Sequence, residues 1–362
     1  MSNCNTPVRS IDPREYDVFI GMDVDKRSIA LTHIDHLGLE KSVKMAHKSE
    51  LVLSFVRNRF SGKRAAFVYE AGPTGFGLYD DIAAAGYDCL VVSPASVPTA
   101  RGKRVRTNRL DSRKLALQLR GGSLESIHVP TQEYRMLREL VQLRQVHVGA
   151  ISANKCRIKA LFLRNKLDFV WATPGGYWSK MVISQIKSFE CATALRFKLD
   201  LLLENLEFAQ RQALRCQCTI RETVEANKEL AESVDFAMSL PGVGWVVASY
   251  AVARIGDWRL LGSSDETASF FGLVPTEDST GEGADRGSIT KAGDPTMRCL
   301  LIQAAWAAIR EDSDLLEFYQ RVYKGHSRDK AARTAIVGVA RKLVTRIHCM
   351  LKERRRYQVV VK

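Results

Sequence analysis

Three acidic residues stand where alternating strands and helices could bring them together. Asp23 follows an apolar, strand-like run in "IGMDVDK", Glu70 ends a similar run in "VYEAG", and Asp111 lies in the helix-forming stretch "VRTNRLDSRKLA". Neighbouring carboxylates repel each other, and a divalent cation relieves that repulsion. Mg²⁺ prefers such oxygen ligands and binds through one or two carboxylates plus a substrate phosphate. The pattern predicts a Mg²⁺ site that acts on phosphates.

Asn108 lies one helical turn before Asp111, where such a site would take a further carboxylate. An amide still offers a neutral oxygen, but it lowers the negative charge that attracts the ion. The stretch is therefore either a nuclease site with one altered ligand or a solvated helix that touches phosphates. A dense basic run surrounds it and would hold a phosphate backbone beside a metal site. Its members are Arg101, Lys103, Arg104, Arg106, Arg109, Arg113 and Lys114.

The elements that must position these acids fall within residues 16–95. Apolar and alternating patterns predict three strands joined by tight turns, followed by helix, strand, helix and strand. This is the order of a ribonuclease-H-like α/β domain, in which the first and fourth strands lie side by side. The ends of those strands carry Asp23 and Glu70, and Asp111 would come from the helix that follows. Asp25 is interpreted as a surface residue.

Two long helical patterns follow, at residues 129–167 and about 190–232. The second repeats apolar residues at steps of four and three, which is a heptad seam. The pair is expected to form an antiparallel coiled coil, to join a partner's pair, or to belong to an ordinary bundle. The seam residues are Leu195, Leu199, Leu202, Leu206, Ala209 and Ala213.

The third region opens with "SLPGVGWVVASYAVARIGDW", which resembles the start of a helix-hairpin-helix DNA-binding element. The stretch "FFGLVPTEDSTGEGADRGSITKAGDP" is predicted to be a long polar loop of the kind that often carries function. A basic amphipathic helix is expected at the end of the chain. The domains are placed at 1–128, 129–233 and 234–362.

Composition points to an anionic partner, because the 362 residues carry a formal charge of +14. Nucleic acid is the simplest such partner, and a basic enzyme without a polyanion is the alternative. The eight cysteines show neither zinc-site spacing nor a disulfide framework and are interpreted as reduced thiols. The chain shows no signal core and no membrane-spanning apolar run. We expect a cytoplasmic bacterial protein associated with the nucleoid.

The motifs together resemble those of the insertion sequence 110 family of transposases, which includes the Piv DNA invertases. The likeness covers nearly the whole chain and rests on the order of "IGMDVDK", "VYEAG", "TGFGLYDDI", "TNRLDSRKLA", "LPGVG", "FFGLVPTEDSTG" and "GSITKAGDPTMRCLLIQAAW". The resemblance implies a RuvC-like nuclease domain with four acids, a helical coiled coil, and a mainly helical C-terminal transposase domain with a nucleophilic serine. It also implies dimers or dimers of dimers guided by a structured bridge RNA that pairs with donor and target DNA.

By the same resemblance, Asp23 and Glu70 match the first two acids and Asp111 the last, whereas the third falls on Asn108. The resemblance places the serine before glycine in "PTEDSTG". Ser279 is the favoured nucleophile, with Thr280 as the alternative and Ser288 as a weaker one. Acids and hydroxyl are expected to meet around one DNA phosphate, within or between subunits. The nearby cations Arg286, Lys291 and Arg298 could neutralise its charge.

Three other functions remain open. A site-specific invertase of the same family would act at fixed sites. Inverted repeats around a promoter or pilin-like gene would indicate it, whereas a flanking non-coding region able to fold as a guide RNA would indicate an RNA-guided transposase. A nucleic-acid-binding relative with weakened catalysis would be explained by Asn108. A RuvC-like resolvase of branched DNA would leave the polar C-terminal stretch without a role.

Overall fold

The computed structural model describes residues 10–96, 107–171, 177–258, 261–280, 283–325 and 328–358. The chain divides into two compact units, 1–129 and 130–362. Among the described residues, no helix is both long enough and apolar enough to cross a membrane. The described cysteines are free thiols, as expected, and Cys4 lies outside the described ranges.

The first unit contains a mixed five-stranded sheet in the order β3-β2-β1-β4-β5. Strand β1 pairs antiparallel with β2 and parallel with β4, which confirms that the first and fourth strands are neighbours. The strands span β1 Val18–Val24, β2 Ser28–Asp35, β3 Glu40–Ala46, β4 Ala65–Glu70 and β5 Asp88–Val92.

Helices cover both faces of this sheet, because its central strands are apolar on both sides. Helices α1 (Ser49–Arg59) and α2 (Gly77–Ala84) pack on the face that carries Ile20 and Phe67. Helix α3 (Asn108–Arg120) packs on the opposite face against Phe19, through apolar residues in its second half. Side chains alternate along a strand, so Asp23 and Glu70 belong to the face covered by α3.

Helix α3 approaches β1 so closely that only a glycine fits between them. A Cβ atom on Gly21 would lie 2.1 Å from the carbonyl oxygen of Ser112 and 2.4 Å from the amide nitrogen of Ala116. The buried Ser112 hydroxyl also makes a 2.8 Å hydrogen bond with the buried hydroxyl of Thr32 on β2. These contacts fix Asp111, the residue before Ser112, above the end of β1.

We predict that Gly21→Ala destabilises the first unit by about 1–3 kcal/mol, because its new methyl group overlaps backbone atoms that cannot rotate away. Hydrogen exchange of peptides from β1 and α3 in urea would measure this loss. All five tryptophans lie beyond residue 170, so their emission should report an unchanged second unit. Gly77→Ala is the control, because a Cβ there would have no atom within 4 Å. Equal protection in the two variants would contradict the prediction.

The second unit is mainly helical, with one two-stranded sheet. Its elements are α4 Gln132–Arg164, α5 Lys180–Lys187, α6 Thr193–Glu225, α7 Lys228–Met238, α8 Trp245–Ile255, α9 Ser264–Phe270, β6 Pro275–Thr280, β7 Gly283–Ile289, α10 Pro295–Glu311, α11 Ser313–Lys324 and α12 Arg328–Glu353. Helices α7 and α8 flank the "LPGVG" turn, and the expected basic C-terminal helix is α12, which contributes apolar residues to the core.

The two 33-residue helices α4 and α6 pack along each other in opposite directions. The start of α4 shares a core with the end of α6, and the end of α4 shares another with the start of α6. Of the predicted seam residues, Leu199, Leu206, Ala209 and Ala213 are buried, whereas Leu195 and Leu202 are only partly buried; Leu203, outside the predicted seam, is buried. The predicted continuation to residue 232 is wrong, because the Asn227 side chain caps a new helix by accepting a hydrogen bond from the Leu230 amide.

The expected polar loop is instead a β-hairpin formed by β6 and β7. The strands pair antiparallel, with Ser279 opposite Ala284 and Thr280 opposite Gly283. At the base of the hairpin the backbone of Gly272, at φ +66°, packs directly against the backbone of Ala292. A Cβ atom at position 272 would lie 2.0 Å from the carbonyl oxygen of Ala292, so only a glycine fits there. The polar composition of this stretch did not reveal that its two halves pair along their facing edges.

Candidate active site

Asp23 and Glu70 extend from adjacent parallel strands. Met22 of β1 lies opposite Tyr69 of β4, so the next residue on each strand is an acid. Both acids are half-buried, and both are on the face of the sheet that α3 covers. The structure thus brings together the two acids that the sequence placed at neighbouring strand ends.

Asp111 joins them from the first turn of α3. The helix begins after Thr107, whose hydroxyl accepts a hydrogen bond from the Leu110 amide, and Asp111 is half-buried there. Its negative charge contributes to the raised pKa of Asp23. The acid from the helix therefore lies near the two acids from the sheet.

The pKa of Asp23 is raised by burial first, then by the negative charges of Asp111, Glu70 and Asp25. Each of these effects disfavours the ionised carboxylate. Asp25 is exposed, as expected of a surface residue, but its influence on Asp23 was not anticipated. The sequence feature that could have indicated this influence is the spacing, since Asp25 lies only two residues after Asp23. A bound cation would oppose the repulsion, so the acidic cluster suits a positively charged partner.

Asn108 is the first residue of α3 and is exposed, one turn before Asp111. An exposed amide at this position can turn toward a ligand without disturbing the core. Among the described residues, however, no group of three or more histidine, cysteine or acidic side chains is arranged to hold a metal ion. Asp111 and Glu70 are close enough to Asp23 to raise its pKa, but the three carboxylates are not arranged as a set of metal ligands.

Much of the predicted basic run is not free to hold DNA or lies outside the described residues. Arg113 donates two 2.8 Å hydrogen bonds to the carboxylate of Glu40 on β3, so its charge is paired. Arg109 is exposed and Lys114 is half-buried. Four members lie outside the described ranges: Arg101, Lys103, Arg104 and Arg106.

The candidate nucleophiles lie on the hairpin of the second unit. Ser279 and Thr280 end β6, and their side chains, like that of Arg286, lie outside what the structure describes. Ser288 on β7 is exposed. Arg298, for which a phosphate-neutralising role stays a prediction, donates hydrogen bonds to the carbonyl oxygens of Phe271 and Ala292 at the base of the hairpin.

Two segments of the chain match models of known protein families. Residues 20–165 match a model for transposases of the IS110 DEDD type, and residues 234–320 match the model described as the Transposase IS116/IS110/IS902 family. A DEDD domain typically uses divalent metal ions.

Three relatives match along much of their length. A Sinorhizobium fredii protein named as a transposase, y4qE, is 30% identical in an alignment of 305 residues that covers 80% of this chain and 71% of that protein. The transposase for insertion sequence element IS1111A of Coxiella burnetii is 22% identical over 94% of this chain and 91% of its own. The transposase for IS1533 of Leptospira borgpetersenii is 21% identical over 67% of this chain and 70% of its own. The chain belongs to the IS116/IS110/IS902 family of insertion-sequence transposases.

Proposed function

We propose that this transposase cleaves and joins DNA strands with a RuvC-like, metal-dependent nuclease domain and a nucleophilic serine. The observation that carries the proposal is the proximity of Asp23, Glu70 and Asp111: the pKa of Asp23 is raised by burial and then by the negative charges of Asp111 and Glu70. The protein would act in the bacterial cytoplasm, associated with the nucleoid, on donor and target DNA. A bridge RNA would select both sites, and the active assembly would be a dimer or a dimer of dimers built through the coiled coil of α4 and α6.

Asp23, Glu70 and Asp111 are the residues that would hold Mg²⁺, with the Asn108 amide as a weaker fourth ligand. The fit rests on the repulsion around Asp23, which a cation would remove. Two carboxylates, waters and a substrate phosphate suffice for Mg²⁺, so a complete cage of three protein ligands is not required. A bound ion would polarise the scissile phosphate and stabilise charge on the leaving oxygen.

Ser279 is the proposed nucleophile. Its hydroxyl oxygen would form a bond to phosphorus as the bond from phosphorus to a deoxyribose oxygen breaks. The serine proton is released, and the departing sugar oxygen takes up a proton, leaving a phosphoserine link to DNA. Attack by the new strand's hydroxyl on this link would restore the serine and complete the exchange. Thr280 is the alternative hydroxyl.

We predict that Asp23→Asn stabilises the metal-free protein at neutral pH. The raised pKa means that the folded protein opposes ionisation of Asp23 more than the unfolded chain does. The gain in stability of Asp23→Asn over the wild type should therefore shrink as the pH falls toward the ordinary carboxyl pKa of about 3.9, because Asp23 then becomes protonated in the wild type. Hydrogen exchange of β1 and β4 peptides across pH would measure it.

In the same experiment, added Mg²⁺ or Mn²⁺ should protect the wild type and leave Asp23→Asn unchanged. Glu125→Gln, which removes an exposed acid of the first unit, is the control and should respond to metal like the wild type. Equal protection of wild type and Asp23→Asn by metal would contradict the proposed metal site.

We predict that Ser279→Ala abolishes strand exchange, because removal of a nucleophile costs several orders of magnitude in rate. DNA binding should persist, and the phosphoserine adduct on the peptide that contains residue 279 should disappear from mass spectra of trapped reactions. Ser288→Ala removes the weaker candidate hydroxyl, an exposed serine of the same hairpin, and should exchange strands like the wild type. Loss of exchange in Thr280→Val with normal exchange in Ser279→Ala would move the nucleophile to Thr280.

A second candidate function is a DNA-binding relative in which Asn108 has weakened catalysis. The exposed amide beside the acidic cluster favours it, because a neutral ligand attracts Mg²⁺ less strongly than a carboxylate.

We predict that Asn108→Asp increases Mg²⁺ affinity and the rate of DNA cleavage, since it restores a charge one turn from Asp111. Cleavage measured against Mg²⁺ concentration would test this, with Asn227→Asp, at the start of α7, as a control for adding one charge. Fast wild-type cleavage that Asn108→Asp does not improve would show that three acids suffice.

A further inference from the structure

Aromatic residues gather where the end of α4 meets the start of α6. The ring of Phe162 is buried in the core of this helix pair and lies 5.0 Å from the ring of Phe169 and 5.4 Å from that of Trp171. The Trp171 ring in turn lies 5.4 Å from the ring of Trp178. These centroid distances are typical of packed aromatic pairs, so the two partly exposed tryptophans are anchored to the core.

Two lysines one turn apart on α4 lie over these rings. The Lys159 ammonium is 5.5 Å from the centroid of Trp171 and 4.9 Å from that of Tyr177, and the Lys155 ammonium is 5.5 Å from that of Trp178. Attraction to a ring face orients a cation but leaves its charge intact. Within the described ranges, no acidic side chain forms an ion pair with either lysine. The rings therefore hold two uncompensated positive charges in place.

Tyr177 presents its ring to solvent, with 64% of the residue exposed. An exposed aromatic beside fixed cations suits a ligand that is both planar and anionic. An apolar protein surface is a poorer match, because it would have to desolvate two unpaired ammonium groups. We call Lys155, Lys159, Trp171, Tyr177 and Trp178 the lysine–aromatic tip.

We propose that the lysine–aromatic tip binds an unpaired nucleotide of a single-stranded nucleic acid. A base stacks on the outer face of Tyr177, and the adjoining phosphates contact the ammonium groups of Lys155 and Lys159. Stacking of this kind tolerates any base, whereas a duplex hides the base faces that Tyr177 would cover. The inference rests on the proposed function only in that the chain works on nucleic acid; it involves neither the acids nor the serine.

Fluorescence anisotropy with labelled oligothymidylate and oligouridylate tests the proposal and separates DNA from RNA as the ligand. Tyr177→Ala should weaken binding of the preferred strand by about 5- to 100-fold with an unchanged salt dependence, because it removes stacking. Tyr177→Phe keeps the ring and should bind like the wild type. The double variant K155Q/K159Q should lower the slope of log affinity against log salt by about 1.4, or about 0.7 for each phosphate that is no longer neutralised.

The double variant K63Q/K330Q removes two exposed lysines elsewhere and should keep the wild-type slope. The proposal is overturned if Tyr177→Ala binds like the wild type, or if K155Q/K159Q changes the slope no more than K63Q/K330Q does. It is also overturned if Tyr177→Ala changes the sedimentation of the protein while oligonucleotide binding is unaltered, since the tip would then dock protein. Failure of the wild type to bind single strands and duplex alike would instead refute the proposed function.

Discussion

The acidic cluster depends on the backbone of α3 lying directly on the backbone of β1. Gly21 permits this approach, because any side chain at that position would overlap the helix at Ser112 and Ala116. The hydroxyls of Thr32 and Ser112 join helix and sheet beside the contact, out of reach of water. The position of Asp111 thus follows from main-chain packing rather than from any interaction of its own carboxylate.

This arrangement places like charges together at the edge of a stable core. The sheet is apolar on both faces up to the ends of β1 and β4, where Asp23 and Glu70 begin the polar region. The pKa of Asp23 is raised there, first by burial and then by repulsion from the negative charges of Asp111, Glu70 and Asp25. DEDD-type domains typically use divalent metal ions, and under the proposed function such an ion would offset this repulsion. Asn108, exposed at the start of α3, adds no negative charge to the cluster, whereas an aspartate at this position would.

The second unit presents its candidate functional residues on short segments held by rigid helices. The hairpin with Ser279 is fixed at its base by the close contact of Gly272 with Ala292 and by Arg298, which bridges two carbonyl groups. The lysine–aromatic tip is held by the buried ring of Phe162. In both places the core fixes the base of the segment, and at the lysine–aromatic tip the exposed Tyr177 remains available to a ligand.

The sequence by itself determined the order of strands and helices along the first unit, the acids at two strand ends and the two long helices, because local periodicity indicates each of them. The pairing of β1 with β4 followed from the element order. The sequence did not reveal that Gly21 lies under α3, that Arg113 pairs with Glu40, that Leu203 rather than Leu202 is fully buried, or that a polar stretch forms a hairpin. Nor did it reveal that Lys159 lies between Trp171 and Tyr177. Only the tertiary structure decided these points, because each depends on atoms that are distant in the chain or on which face of a helix packs, and local patterns carry no record of either.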